Sequence, residues 1–192
     1  MEAVAAPERD AQLMLRVREG DHSSFGMLLE RHRGPVVHFL YRMVQNQAVS
    51  EELAQEVFLR VYRSRETYEP TAKFTTWLFR IATHVALNSI RDRKKEKGHE
   101  SLDEEMLDGT ERQVADRQPT VEQGMVHEVK LREVRQAIEA LPAKQRAAVL
   151  MHKYESLDYA QIAGVLGCSE SAIKSLLFRA YETLRDRLAH MA

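Results

Sequence analysis

Residues 157–188 read LDYAQIAGVLGCSESAIKSLLFRAYETLRDRL, and this stretch decides the fold. Asp158 precedes Gln161 by three positions, the spacing of a capping box at a helix start. Ile162, Ala163, Val165 and Leu166 give that helix an apolar side. Gly167 ends it at a position that tolerates positive φ, and Ser169 is placed to cap the next helix. In that second helix Ile173, Leu177, Ala180, Leu184 and Leu188 recur at helical spacing, a stripe that faces a core. Two short helices around a short Gly-containing turn are the plan of a helix-turn-helix, whose second helix enters the major groove of DNA. An ordinary helical hairpin shares the periodicity; the caps, the turn length and the inner alanine favour the DNA-binding form. Ser171, Lys174, Ser175 and Phe178 lie on the opposite face. With Ser169 and Arg179 they form the candidate base- and phosphate-contacting set.

The rest of the chain fits an all-α protein. I-, V- and L-bearing segments follow helical periods, Gly and Pro fall between them, and no strand alternation or internal repeat stands out. The 192 residues leave room for two small domains. With 28 Lys+Arg against 29 Asp+Glu the chain is nearly neutral, which excludes a uniformly basic nucleic-acid binder but not a locally basic one. One cysteine, Cys168, forms no internal disulfide and no Cys/His zinc set, so a reduced, cytoplasmic protein without metal or cofactor is expected. Neither a signal peptide nor a membrane span is read in the sequence, so no membrane insertion is expected.

Aromatic residues divide the chain, since none occurs between Phe79 and Tyr154. Within that gap, residues 98–119 carry seven acids and two bases, a net of −5, punctuated by Gly98, Gly109 and Pro119. Such a segment buries too little surface to fold alone and reads as a flexible acidic linker. It separates a domain at 1–97 from one at 120–192. Before it the pattern predicts helices from about Glu8 to Glu19, from Asp21, from Pro35 to Val44, from Asn46 or Ser50 with Glu51 and Glu52 in the first turn, and from Phe74 past Arg91. After it Thr120 starts a helix to Ala140, and Pro142 opens the next at its first position.

The helix from Phe74 has two faces. Phe74, Leu78, Ile81 and Val85 are apolar; Arg80, His84, Asn88, Arg91 and Lys95 line another side. Residues 86–97 hold five bases against two acids, a net of +3. Cations engage phosphates and Asn reads base edges, so this face suits nucleic acid. The loop upstream, with Tyr68 and Lys73, carries aromatics that could stack on unpaired bases. Tyr68 is expected to be the exposed one, with Phe74 and Trp77 as readily in the core.

SEELAQEVFLRVYR at 50–63 and FTTWLFRIATHVALNSIRDRKKE at 74–96 resemble region two of bacterial sigma factors. ALPAKQRAAVLMHKYESLDYAQIAGVLGCSESAIKSLLFRAYETLR at 140–185 resembles their region four. No region-three domain or extra amino-terminal region is read, so the chain is similar to the compact extracytoplasmic-function (ECF) group of the sigma-70 family. The resemblance implies a promoter-specificity subunit of RNA polymerase rather than an enzyme. It implies docking of Leu53, Gln55, Glu56 and Arg60 on the β′ clamp helices, and −10 reading by Tyr68, Lys73, Arg80, His84, Asn88, Arg91 and Lys95. It further implies −35 reading by the recognition helix, contact of that lobe with the β flap, a linker threaded through polymerase, and control by an anti-sigma factor. Departures from the family pattern are Thr83-His84 for a frequent Asn, Asn88 for a frequent Asp, Leu176 after Ser175 for a frequent Arg, and Tyr181 for another Arg. They leave Lys174 and Arg179 as the main cations near −35. A stand-alone helix-turn-helix regulator is the competing reading; it would need dimer symmetry, which a tether in mid-chain disfavours. A helical enzyme lacks a motif: no HExxH, phosphate-binding glycine loop or Ser/Cys-His set is present.

Overall fold

The computed structural model describes residues 6–99 and 121–191, with side chains over 9–95 and 130–191. Of the expected linker at 98–119, Gly98 and His99 are helical and close α4, and the rest lies outside the described residues, as does the expected cap Thr120. Eight α-helices occupy the described chain: α1 (Ala6–Arg18), α2 (His22–Val44), α3 (Gln47–Arg63), α4 (Phe74–His99), α5 (Val121–Glu139), α6 (Ala143–Tyr154), α7 (Tyr159–Leu166) and α8 (Glu170–Leu188). One 3₁₀ turn, Arg65–Thr67, precedes α4.

Local chemistry sets most of the boundaries. The Asp21 carboxylate caps α2 by accepting from the Ser23 and Ser24 amides. The hydroxyls of Ser23 and Ser24 add to this, holding that carboxyl down at about 2. Asn46 caps α3 through the Val49 amide. Because α3 begins at Gln47, Glu51 and Glu52 stand beyond its first turn, and Ser50 is a buried residue whose hydroxyl bonds the Gln47 carbonyl at 2.8 Å. Pro142 is the residue before α6 rather than its first helical one.

The larger departure is at Pro35. The expected break between two helices is a single α2 that runs through the proline. An interior proline removes one backbone hydrogen bond and crowds the preceding turn, at about 3 kcal/mol. Here Leu28 and His32 before it, and Val36, Val37, Phe39 and Leu40 after it, are all buried in one core. Burial on that scale, at roughly 1.5–3 kcal/mol per large apolar side chain, exceeds the cost of the proline.

Helices α1–α4 wrap around one another, and α6–α8 form a second group joined by α5. The two groups also pack together, α4 against α7 and α6, and α2 against α6. Their apolar residues form one continuous cluster. At this seam the Thr83 hydroxyl reaches the Met151 sulfur at 3.8 Å, and the Arg42 guanidinium stacks 4.0 Å over the Tyr154 ring. Arg146 donates to the Met43 carbonyl at the end of α2 and to the Glu139 and Leu141 carbonyls near the end of α5. A cation there satisfies carbonyls that helix ends leave unpaired.

Candidate nucleic-acid interface

The helix-turn-helix is built as its sequence implies. Asp158 and Gln161 make the reciprocal capping box, with bonds of 2.8 and 2.9 Å. Gly167 takes φ +65° at the end of α7, where a side chain would be strained. The Ser169 hydroxyl accepts from the Ala172 amide at 3.2 Å to start α8. Ile173, Leu177 and Ala180 are buried beneath α8, and Leu184 packs at the edge of the cluster.

The outward face of α8 is open. Ser169, Ser171, Lys174, Ser175, Phe178 and Arg179 are all exposed, and Phe178 stands 64% accessible. The side chains are held only loosely: Lys174 pairs with Glu170 at 3.2 Å, the Ser175 hydroxyl donates to the Ser171 carbonyl, and Arg179 donates to the Ser175 carbonyl. Exposed pairs of this kind contribute about 0–1 kcal/mol, so a phosphate can displace them readily. Tyr181, one of the departures from the family pattern, is 40% exposed and lies about two turns along α8 from Lys174. Its hydroxyl meets the His152 ring at 3.1 Å, and burial, then the neighbouring Tyr159, pushes its phenol pKa up. A phenol carries no positive charge, so Lys174 and Arg179 are the cations of the set.

On α4 the structure brings Arg80, His84, Asn88, Arg91 and Lys95 onto one exposed face, with Lys73 exposed in the loop before it. The stripe extends for about 22 Å along the helix axis. Arg91 pairs with Asp92 at 3.3 Å in this exposed setting.

Tyr68 is a correction. It is 2% exposed, packed edge-on against Trp77 with ring centroids 4.8 Å apart and near Phe74 at 6.3 Å. The Arg18 guanidinium holds its carbonyl at 3.3 Å. Burial, with a smaller contribution from Asp10, pushes its phenol pKa up. An aromatic ring beside Phe74 and Trp77 removes more apolar surface from water inward than outward. In this arrangement Tyr68 does not stack on a base.

The candidate docking residues on α3 divide between two sides. Glu56 and Arg60 pair at 2.6 Å on one, with Leu53 half-buried nearby on the helical wheel. Gln55 lies on the other, at the rim of an apolar groove of about 520 Å³ between α2 and α3. Phe25 and Leu29 form one wall, Phe58 and Tyr62 the other, and Arg33 pairs with Glu51 at 2.7 Å at its mouth. Leu59, 50% exposed on this rim, is absent from the sequence-derived set. Its signal was present: it falls off the Val57–Val61 stripe, an apolar residue out of register with the core face. Among the described residues no cluster of His, Cys, Asp and Glu could hold a metal ion, and no helix is long and apolar enough to cross a membrane.

Sequence comparison accounts for both halves. The family profile for Sigma-70 region 2 matches residues 28–96, and that for Sigma-70 region 4 matches residues 131–184. RNA polymerase sigma factor CarQ of Myxococcus xanthus is 32% identical, over 93% of this chain and 97% of its own length. The chain belongs to the ECF RNA polymerase sigma factors. The ECF sigma-E factor of Haemophilus influenzae is 31% identical over 93% of this chain and 95% of its own. Two solved structures share the fold at 20% identity. The sigma factor RpoE of Bartonella quintana, crystallised with the anti-sigma factor NepR, has a TM-score of 0.67, covering 86% of this chain and 96% of that one. CnrH, in complex with the cytosolic domain of CnrY, has a TM-score of 0.68, covering 95% and 99%. As a sigma factor the protein acts in transcription initiation.

Proposed function

We propose that this ECF sigma factor reads promoters in two parts while bound to core RNA polymerase. In that reading residues 1–97 form the polymerase-docking and −10 domain, 98–119 the tether, and 120–192 the −35 domain. The observation that carries it is the pair of solvent-facing polar helix faces, one in each group. Helix α8 offers Ser169, Ser171, Lys174, Ser175, Phe178 and Arg179 to the −35 major groove, short side chains toward base edges and cations toward phosphates. Helix α4 offers Arg80, His84, Asn88, Arg91 and Lys95, with Lys73 before it, to the −10 element.

Core polymerase is the proposed occupant of the α3 surface, through Gln55 and Leu59 at the groove and Leu53, Glu56 and Arg60 beside it. The β′ clamp helices would dock there and the β flap on the carboxy-terminal group. By analogy with RpoE and CnrH, an anti-sigma factor is a further partner. The protein works in the cytoplasm, with no chemistry of its own.

The test is run-off transcription with core polymerase on candidate promoters. Site-specific initiation is expected only when both are present, and the free protein should bind duplex promoter DNA weakly. Tight, symmetric binding by the free protein would replace this reading with that of a stand-alone regulator.

A further inference from the structure

The seam between the helical groups contains an acid that burial penalises and no ion pair offsets. Glu155 ends α6; its amide bonds the Met151 carbonyl at 3.2 Å. The next residue, Ser156, has φ +53°, so the chain reverses sharply into α7 in a conformation that costs a non-glycine residue energy. Glu155 is half-buried there. From the other group, α2 brings Arg42 over Tyr154. Among the described residues no hydrogen bond or ion pair closes on the Glu155 carboxylate.

We propose that this seam is a proton-gated latch: a proton on the Glu155 carboxyl holds the two helical groups together, and its loss lets them part.

Closure and promoter reading exclude each other on geometry, a step that rests on the two-part reading above. Helices packed face to face stand about 8–10 Å apart, so α8, reached from α4 through α7, lies within about 20 Å of α4. The −10 and −35 elements are about 25 base pairs apart by position, or about 85 Å at 3.4 Å per step. The two faces reach both elements only when the seam is open.

Protonation biases that equilibrium in a definite direction. Burial raises the Glu155 carboxyl from 4.5 to about 7, against the opposing charge of Arg42. The other charged groups on the packed elements are engaged elsewhere or carried outward. Arg146 bonds three carbonyls, His152 meets the Tyr181 hydroxyl, Asp158 caps α7, and Lys153 is exposed. The buried Thr83 and Ala86, on the side of α4 that carries the Met151 contact, are not titratable. An open chain with a solvated Glu155 loses its proton near 4.5, whereas the closed chain keeps it to about 7. Between those values the closed form binds the extra proton, so acid closes the seam and alkali opens it. From pH 8 to pH 6 the closed-to-open ratio should rise about tenfold.

The experiment uses the free full-length chain, without polymerase or DNA, so it can fail independently of the promoter assignment. Dyes on the exposed native Cys168 and on an added cysteine at exposed Glu30 (Glu30→Cys) report the distance between groups by energy transfer. In the parent chain, transfer is expected to rise from pH 8 to pH 6. Glu155→Gln, a neutral mimic of the protonated acid, should give high transfer at both values. Arg42→Gln should move the midpoint to higher pH, while His152→Gln should leave the Glu155 transition in place. Circular dichroism checks that each variant remains helical. Transfer that does not change with pH in the parent chain overturns the latch, as does a pH response that survives in Glu155→Gln.

Discussion

Helices α4 and α8 each present a polar face for DNA, yet they are held in place differently. Helix α8 has two faces: Ile173, Leu177 and Ala180 go down into its own group, and the serines and cations face water. Helix α4 has three. Phe74, Leu78 and Val85 face its own core, Arg80 through Lys95 face solvent, and a third arc holding Phe79, Thr83 and Ala86 is also buried. Phe79 meets Phe39 of α2, inside its own group, edge-on at 5.3 Å, whereas Thr83 crosses the seam to Met151 of α6. A recognition helix needs only one anchored side, whereas a helix between two groups needs a second. Small residues on that second side allow close approach but leave a weak hydrophobic signature.

The most severe break in the comparison is on the core face of α4. Phe74→Ala should cost about 3–5 kcal/mol, because Phe74 is wholly buried against Tyr68, Trp77 and His32. Urea unfolding of the full chain measures it; a loss under about 1 kcal/mol would mean that the aromatic cluster is not a packed core.

The second is on the seam face. Thr83→Lys would place a charge without a counter-ion at a site 0% exposed, and an unpaired buried charge costs several kcal/mol. The groups should part rather than bury it. Size-exclusion chromatography should show a larger hydrodynamic radius while far-ultraviolet circular dichroism stays helical. An unchanged radius would show that Thr83 does not hold the groups together.

Changes at the helix-turn-helix should be smaller and local. Asp158→Ala removes half of the capping box and should cost about 1 kcal/mol, read by thermal unfolding, with the seam intact. Lys174→Ala breaks one exposed pair with Glu170 and should barely alter stability. It should flatten the salt dependence of −35 binding by about one unit of slope and lower transcription from a −35-dependent promoter, with core binding unchanged. An unaltered slope would remove Lys174 from the phosphate contacts.

What the sequence determined by itself is concentrated where the chemistry is local. The Asp158–Gln161 box, the positive φ at Gly167, the Ser169 cap and the stripe below α8 all involve partners within a few positions, so spacing alone specifies them. The basic face of α4 was legible for the same reason, since helical period places Arg80, His84, Asn88, Arg91 and Lys95 together. Tertiary structure decided the rest. Tyr68 is buried because Arg18, fifty positions away, ties down its backbone and Trp77 and Phe74 take its ring. Pro35 stays inside α2 because residues on both sides of it share one core. The groove beside Leu59 exists only between two helices, and the Thr83–Met151 contact only between two groups. Caps and periods are settled by hydrogen bonds within one turn of helix, whereas burial depends on which distant surfaces meet.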